Sequence, residues 1–395
     1  MQLLHLPEIA PGLSAPGMTL RAWQRSDAAS VLRLADDDET RRWSPSLREL
    51  RNLTDAEAWI LGRLERRTDW AAWDLQSGEL VGRVGLHHHD PEVRAAEIGY
   101  QVMPGFRRRG VAKAMVEAVV DYAFAPVPDG LDLVRVNLQH AVGNEASCRT
   151  ALACGFSAEG LIRSVIPAGD DRFDDAHQHG RLAGDPAGPL PIESEHGGSG
   201  STGASRAAVT PTELVAGRLQ LLVPDPDRDA ADVVAACADP EIARWNAGPT
   251  DLAAGRAWCM RRADWSDGTH ASWIVREATG GALVGAVSIN QVIAAQLACD
   301  IGYWVARPAR GQGVASVSVA AATRFGFEAM GLRRIQLYHA VENVASCRTA
   351  TSAGYAQEGL LRQSFRYGDG EFHDEHMHAR LVTDPTPGLS RPPGA

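Results

Sequence analysis

The feature that most constrains this chain is a long internal repeat. The segment NEASCRTALACGF begins at Asn144 and NVASCRTATSAGY begins at Asn343, so the pentamer SCRTA occurs twice. A second pair precedes it in the same order: EIGYQVMPGFRRRGVA from Glu97 and DIGYWVARPARGQGVA from Asp300. The interval of about 200 residues is much longer than the repeat unit of a solenoid, which is roughly 20 to 50 residues. The sequence therefore predicts a tandem duplication of one domain.

The ends of the two copies, and the segment between them, suggest where the domains begin and end. Each copy continues with EGLIRS or EGLLRQ and closes with an aromatic residue, Asp, His and Arg-Leu. A stretch rich in Gly, Ser and Pro separates the copies, which is typical of a flexible linker. We predict a domain at 1–184, a linker at 185–212 and a second domain at 213–395.

The composition narrows the class of protein. A chain of 395 residues has room for about two domains, and 45% hydrophobic residues give each half enough apolar surface to bury a core. The net charge of -10 argues against a nucleic-acid surface. No apolar run approaches the roughly 18 residues of a membrane span, and the N-terminal segment does not resemble a secretory signal. The six cysteines show no CxxC pair and are predicted to be reduced thiols of a cytoplasmic protein.

Both copies mix predicted strands and helices, so the fold class is α/β. AAWDLQSGELVGRVGLHHH is predicted to form two strands around Ser77-Gly78, and Gly280-Gly281 marks the same turn in the second copy. GVAKAMVEAVVDYAF places its apolar residues on one helical face. ASCRTALACG predicts a short helix that ends at Gly155 in a left-handed cap, as does its counterpart at Gly354.

A basic turn that contains glycine joins a strand to a helix in each copy. Small residues let a ligand approach the backbone, and free amides at a helix N-terminus favour a pyrophosphate. The alternative interpretation is a basic turn without a ligand, since the pattern is neither a P-loop nor a dinucleotide fingerprint. The residues are Arg107, Arg108, Arg109, Gly110, Val111 and Ala112, then Arg310, Gly311, Gln312, Gly313, Val314 and Ala315.

An Asn and a Ser begin the next helix of each copy: Asn144 and Ser147, then Asn343 and Ser346. Two interpretations of this pattern are open. In one, the Asn is an ordinary helix N-cap. In the other, its amide holds an extended ligand while the Ser hydroxyl donates a proton to a leaving group.

The ordered set of EIGY, Arg-x-x-Gly-x-Ala, Asn-x-x-Ser and Gly-Phe resembles the GNAT acetyltransferase superfamily. The resemblance extends over most of both halves and is greatest for the branch that includes the ribosomal-protein N-terminal acetyltransferases. It implies two tandem GNAT-like domains, each with a mixed, mostly antiparallel central sheet flanked by helices. That sheet would splay between its fourth and fifth strands to hold acetyl-CoA.

The resemblance also implies a role for each candidate residue. The turns 107–112 and 310–315 would bind the pyrophosphate of acetyl-CoA, and Asn144 and Asn343 its pantetheine. Backbone amides near two strand residues would stabilise the oxyanion: Val102 and Val305. The remaining residues would be catalytic. Ser147 and Ser346 would be the acids that protonate the CoA thiolate, and Glu97 and Asp300 would be the general bases.

The implied chemistry is direct acetyl transfer to an amine in a ternary complex. A thioester is already activated, so no metal and no covalent nucleophile is expected. The favoured acceptor is the α-amine of a peptide or protein. The alternatives are a small amine such as an antibiotic, or a CoA-binding protein without catalysis. The duplication is consistent with a monomer whose halves pack as a pseudo-dimer.

The two copies differ at candidate site residues, and these differences do not indicate which copy is the more active. Asp300 is one methylene shorter than Glu97, and the first turn has Arg108 where the second has Gly311.

Several conspicuous side chains are assigned no part in the chemistry. Cys148 and Cys347 are predicted to be small thiols facing the core rather than nucleophiles paired with a histidine. The histidines at 87–89, and those at 177 and 179, are predicted to alternate between strand faces, so no metal site is expected. An acceptor-site role for His177 or His376 stays open. The tryptophans are predicted to be core residues: Trp43, Trp70, Trp73, Trp245 and Trp273.

Overall fold

The computed structural model describes residues 6–169, 172–186, 188, 201–202 and 209–386. The chain divides into two compact units with a boundary near residue 200. Most of the predicted linker, namely 187, 189–200 and 203–208, lies outside the described residues. Among the described residues, no helix is both long and apolar enough to cross a membrane.

The first half contains eight strands and six α-helices within the described residues. The strands are β1 Leu13–Ala15, β2 Met18–Ala22, β3 Asp69–Asp74, β4 Leu80–Asp90, β5 Ala95–Val102, β6 Arg135–Ala141, β7 Ser157–Gly169 and β8 Arg172–Leu182. The helices are α1 Ala28–Ala35, α2 Asp38–Trp43, α3 Pro45–Arg48, α4 Leu53–Arg66, α5 Val111–Phe124 and α6 Glu145–Ala153.

The second half repeats this order with one helix fewer, after a two-residue strand, β9 Ser201–Thr202. Its strands are β10 Leu214–Ala216, β11 Leu219–Leu222, β12 Ala271–Glu277, β13 Leu283–Ile293, β14 Ala298–Val305, β15 Arg334–Ala340, β16 Ala356–Arg366 and β17 Phe372–Leu381. Its helices are α7 Pro226–Cys237, α8 Pro240–Trp245, α9 Leu252–Ala263, α10 Val314–Glu328 and α11 Val344–Ser352.

The sheet of each half is mostly antiparallel, with one short parallel pairing. Strands β1 to β5 pair antiparallel in succession, and β6 pairs antiparallel with β8. The parallel pair is β5 with β6, which are in register from Ala95 to Glu97 against Arg135 to Asn137. In the second half, β14 and β15 pair in the same way from Ala298 to Asp300. Both strands of each pair continue beyond this contact, and a cavity lies between their separated ends.

Helices cover both faces of each sheet. In the first half, α5 packs Met115 and Val119 against strand residues such as Trp70, all fully buried. Helices α1 and α4 pack Leu34 and Ile60 on the opposite face, in a separate core cluster. The second half has two corresponding clusters of its own. Each half is therefore an α/β domain with its own core, as predicted.

The local signals in the sequence explain where the short helix of each half begins and ends. Asn144 is the N-cap of helix α6, and its side-chain oxygen accepts a hydrogen bond from the amide of Ser147 at 3.2 Å. The helix ends before Gly155, which has a φ of 76°, and Gly354 has a φ of 81° after α11. The predicted left-handed glycine caps are confirmed.

Candidate active site

A cavity of about 750 Å³ opens where β5 and β6 separate in the first half. Its walls come from β5, β6, the turn before α5, the first turns of α6, and α2. The candidate residues that the structure brings together here are Val102, Arg107, Arg108, Gly110, Val111, Ala112, Asn144 and Ser147. Arg109 is not part of this wall within the described residues, and its guanidinium lies 5.4 Å from the centre of the Phe106 ring.

The second half has a smaller cavity, of about 320 Å³, at the corresponding place. Candidate residues in its wall are Val305, Arg310, Gly311, Gly313, Val314, Ala315, Asn343 and Ser346. Gln312 faces elsewhere within the described structure: its side-chain nitrogen donates to the Pro308 carbonyl at 2.9 Å. The two cavities therefore present the same residue types at equivalent positions, except that Arg108 stands where the second half has Gly311.

The turn before α5 takes its shape from two left-handed residues. Gly110 has a φ of 78° and forms the N-cap of α5 without a side-chain hydrogen bond. Arg108 has a φ of 60°, and Gly311 takes the corresponding place in the second half with a φ of 75°. Because the first amides of a helix have no partner within the helix, those of α5 and α10 are available to a ligand in the cavity.

The leading arginine of each turn is already engaged by acidic residues of a neighbouring helix. Arg107 forms ion pairs with Asp37 and Glu39, the latter at 2.6 Å. Arg310 pairs likewise with Asp239 and Glu241. The Arg310 guanidinium holds the pKa of Asp239 below its ordinary value. These ion pairs tie each turn to α2 or α8.

A tyrosine and the predicted acid form a hydroxyl pair in each cavity. The hydroxyls of Tyr100 and Ser147 are 2.8 Å apart, and those of Tyr303 and Ser346 are 2.7 Å apart. Burial raises the pKa of both tyrosines above the ordinary value. Both phenols are therefore protonated near neutral pH and can supply a proton through the serine.

The predicted base of the first half lies on the opposite face of β5 from this pair. Glu97 and Tyr100 are an odd number of residues apart on a strand, so their side chains point to opposite faces. Glu97 contacts His87 and His88 at 3.3 Å each. Burial alone would raise its pKa, but the hydrogen bonds from these histidines more than offset that effect and lower the pKa to about 2.

The predicted base of the second half has a different environment. Gln336 donates to the Asp300 carboxylate at 3.2 Å. Burial raises the pKa of Asp300 to about 7, and the nearby charge of Glu375 acts in the same direction. Within the described residues, neither Asp300 nor Glu97 belongs to the wall of its cavity. A base on this face would meet an acceptor that approaches from the side of the sheet opposite the tyrosine.

Sequence reasoning missed the tyrosines and misplaced some aromatic and histidine side chains. Tyr100 and Tyr303 were visible as the repeated final letter of EIGY and DIGY, which is the one signal that could have found them. Trp70 and Trp273 are fully buried in the core, as predicted. The prediction is wrong for Trp43 and Trp245, which form part of the cavity walls.

The predicted alternation of neighbouring histidines is also wrong. His87 and His88 both reach Glu97 because the ladder shifts register there and His88 has a φ of 50°. His177 and His179 are two residues apart on β8 and so share a face. Both lie beside His140, with ring centres at 5.3 and 5.1 Å.

The remaining repeated residues hold the scaffold together. Asp175 accepts the amide of Ser164, which has a φ of 57°, at 2.7 Å. Arg181 donates to the carbonyl of Cys154 at the end of α6, at 2.8 Å. Arg135 and Glu159 form a buried ion pair. Such residues recur in both copies because both copies need the same backbone.

Comparison with known proteins identifies the family of each half. The sequence profile of the Acetyltransferase (GNAT) domain matches residues 18–157 and again 218–356. The chain belongs to the GNAT acetyltransferase family. Its two GNAT domains establish the tandem duplication, the α/β fold class and the assignment to the N-acetyltransferases that the sequence predicted.

The sequence identity to individual relatives is low. The chain is 29% identical over 169 residues to the uncharacterized N-acetyltransferase YoaA of Bacillus subtilis, covering 42% of this chain and 93% of YoaA. It is 29% identical over 100 residues to the ribosomal-protein-serine acetyltransferase of Escherichia coli, covering 25% of this chain and 55% of that protein. A solved structure, Mycobacterium smegmatis RimJ in complex with CoA-disulfide, is 24% identical with a TM-score of 0.41, covering 44% of this chain and 88% of RimJ.

Proposed function

We propose that this GNAT protein transfers the acetyl group of acetyl-CoA to the α-amine of a peptide or protein, within a ternary complex. One observation carries the proposal. Each half surrounds a cavity with a left-handed glycine turn, an Asn–Ser helix start and a buried tyrosine–serine pair. This arrangement suits a donor that has a diphosphate at one end and a thioester at the other.

The donor is held by backbone groups more than by charge. The free amides at the start of α5 and α10 meet the pyrophosphate, while Arg107 and Arg310 keep the turns in place through their acidic partners. Asn144 and Asn343 use their side-chain oxygens as helix caps. Their side-chain nitrogens are then the groups that donate to pantetheine. Val102 and Val305 lie at the ends of β5 and β14, where a backbone amide is suited to the oxyanion.

The tyrosine–serine pair of each half supplies the proton that the sulfur atom of CoA receives. When the C–S bond breaks, the CoA thiolate takes a proton from Ser147 or Ser346. The serine recovers a proton from the tyrosine at 2.8 or 2.7 Å. The sequence suggested the serine alone, and the hydroxyl contacts support Tyr100 and Tyr303 as the reservoirs behind it.

Deprotonation of the acceptor occurs at the other face of the strand. The ammonium form of an amine is not a nucleophile, so Glu97 or Asp300 must accept its proton, directly or through water. Asp300, with its pKa raised to about 7, is matched to this task near neutral pH. Glu97, with its pKa lowered to about 2, is a much weaker proton acceptor. The chemistry balances without a metal.

The choice of acceptor rests on the relatives and on charge. One relative is a ribosomal-protein-serine acetyltransferase, which favours a peptide or protein α-amine. A small amine, such as an antibiotic, is the second candidate, and the net charge of -10 suits a cationic acceptor of either kind. Location in the cytoplasm and a monomer with paired halves stay predictions.

A thiol-release assay tests the proposal. Acetyl-CoA is supplied with a panel of peptides that have free or blocked N-termini, and with small amines. We expect release of CoA with free N-termini and none with blocked ones. Turnover only with small amines would replace the acceptor proposed here. Isothermal titration with acetyl-CoA separates the third possibility, because binding without turnover on any acceptor indicates a CoA-binding protein.

A further inference from the structure

Each half contains a cluster of three imidazoles and one thiol that the acetyl transfer does not use. His140, Cys148, His177 and His179 form it in the first half. His339, Cys347, His376 and His378 form it in the second. In both clusters the four possible ligand atoms lie within 4.8 Å of one another. The members come from different elements, β6, α6 and β8 or their counterparts, so only the folded domain assembles them.

The spacing of the histidine nitrogens suits a common metal ion. The Nε2 atoms of His140 and His179 are 3.1 Å apart, and those of His339 and His378 are 3.2 Å apart. Two imidazole nitrogens at about 2.0–2.1 Å from a tetrahedral zinc ion lie roughly 3.3 Å from each other. The remaining ligand atoms lie within 4.8 Å of these nitrogens, and rotation of the half-buried Cys148 and Cys347 side chains can shorten these distances.

In the second cluster, the hydrogen bonds of the Nδ1 atoms of His339 and His378 determine which tautomer each ring adopts. His339 Nδ1 lies 2.8 Å from the Ala340 carbonyl, and His378 Nδ1 lies 3.5 Å from the Tyr355 carbonyl. Because a carbonyl only accepts hydrogen bonds, both Nδ1 atoms carry the proton. Neutral rings then direct two lone pairs at each other across 3.2 Å. A cation between them removes this repulsion, and a backbone partner on the other nitrogen is the usual support of a metal-binding histidine.

A buried nitrogen atom provides a further observation. Among the described residues, the Nδ1 atom of His376 is buried and has no hydrogen-bond partner. A buried polar atom normally has a partner, and the described residues provide none for this nitrogen.

We propose that each half binds one Zn²⁺ ion, or another divalent ion of similar preference, through its histidine–cysteine cluster. Nitrogen and thiolate ligands favour zinc over magnesium or calcium, which require oxygen ligands. The ion links α6 to β6 and β8 through Cys148, the residue after Ser147. It positions the helix that presents the acid and takes no part in the acyl transfer. This replaces the expectation of a protein without metal.

The test uses the full-length protein, stripped with a chelator and titrated with Co²⁺ as the probe. We expect two ions per chain, intense visible bands of tetrahedral Co²⁺ and a thiolate-to-cobalt band in the near ultraviolet. A third group, His87, His88 and Glu97, could also bind an ion, but it has no thiol and cannot produce the thiolate band. Weak bands of six-coordinate Co²⁺ without a thiolate band would overturn the proposal.

Variants assign the bands to the clusters. Cys148→Ser and Cys347→Ser should each remove about half of the thiolate band, since one of the two thiolate ligands is lost, and the double variant should remove all of it. Cys154→Ala is the matched control, because this buried thiol contacts the Lys113 carbonyl and lies outside the clusters. A band that survives the double variant would refute the assignment. Should a variant misfold, the wild type still decides: zinc should protect Cys148 and Cys347 from alkylation, and unchanged alkylation would sink the idea.

Discussion

The two halves agree closely in the contacts of the predicted acid, although their cavities differ in volume, about 750 Å³ against about 320 Å³, and they differ most in the surroundings of the predicted base. The tyrosine–serine distances agree within 0.1 Å, and the caps at Asn144 and Asn343 agree as closely. The bases differ in length, in neighbours and in the direction of their pKa shift. The duplication has thus kept one chemistry for the leaving group while the surroundings of the base have diverged.

The divergence extends over the face of the sheet around the second base. In the second half, Glu375 accepts hydrogen bonds from Tyr367 at 2.7 Å and Ser364 at 2.8 Å. The corresponding positions in the first half are Ala176, Ala168 and Val165, none of which has a side-chain hydrogen-bonding group. We infer that the two halves differ in turnover, in acceptor preference, or in both.

The largest expected effect comes from removing the acid or the base in one half at a time. Ser147→Ala and Glu97→Ala form one pair, and Ser346→Ala and Asp300→Ala form the other. If one half dominates, both of its changes should lower the rate by about 10²-fold or more, the lower end for general acids and bases. The pair in the other half should be nearly silent. If all four changes lower the rate by about half or less, the halves are equivalent and the comparison fails.

The pH dependence of each half is the next largest difference. Ser346→Ala isolates the first half and Ser147→Ala the second. The raised pKa of Asp300 means that its carboxylate forms only as the pH rises through about 7. The kcat/KM of the second half should therefore rise about tenfold from pH 6 to pH 8 relative to the first half, since Glu97 is ionised throughout. The ratio of the two profiles cancels titration of the acceptor itself, and a constant ratio would contradict the assignment of the bases.

Substitutions in the turns before α5 and α10 should change the stability of the two halves in opposite directions. Gly311→Ala should destabilise its half by about 1–2 kcal/mol, because an L-residue at a φ of 75° is strained. Arg108→Gly should stabilise its half by a smaller amount, since relief of this strain is partly offset by about 0.5–1 kcal/mol of added chain entropy. Chemical denaturation of both variants measures these changes. A loss of stability in Arg108→Gly would show that its side chain has a structural role.

The smallest expected effect comes from substituting Asn144 or Asn343, and it should be the same in both halves. These variants distinguish the role of each asparagine as a helix cap from its role as a donor to acetyl-CoA. Asn144→Ala and Asn343→Ala should each cost about 1 kcal/mol of stability through loss of the helix cap. Asn→Asp at either position keeps the cap but removes the side-chain donor. It should therefore preserve stability and raise the KM for acetyl-CoA. An unchanged KM would indicate that these residues are caps alone.

The sequence was informative where function and local structure share a short segment. The turn at 107–112, the helix start at Asn144 and the glycine cap at Gly155 each use the chemistry of a few neighbouring residues, and repetition doubled the signal. The acid–tyrosine pair joins residues 47 positions apart, and the Arg107 ion pair joins residues 70 apart. Pairings of this kind depend on the register of the sheet, which no local pattern specifies.

Side-chain direction was the other limit on prediction from the sequence. The interpretation of His87 and His88 assumed a regular strand, and one residue with a φ of 50° brings both rings to the same carboxylate. The pKa values of Glu97 and Asp300 depend on such neighbours and on burial, so the similarity of the two residues concealed opposite shifts.

The separate hydrophobic cores of the two halves affect the thermal unfolding of this chain. The buried clusters of residues such as Val119 belong wholly to the first half, and those around Val319 wholly to the second. Two cores that do not share residues can melt at different temperatures, and a chain of this kind need not follow a two-state transition. A calorimetric scan should then resolve two endotherms, each moved by substitutions in its own half.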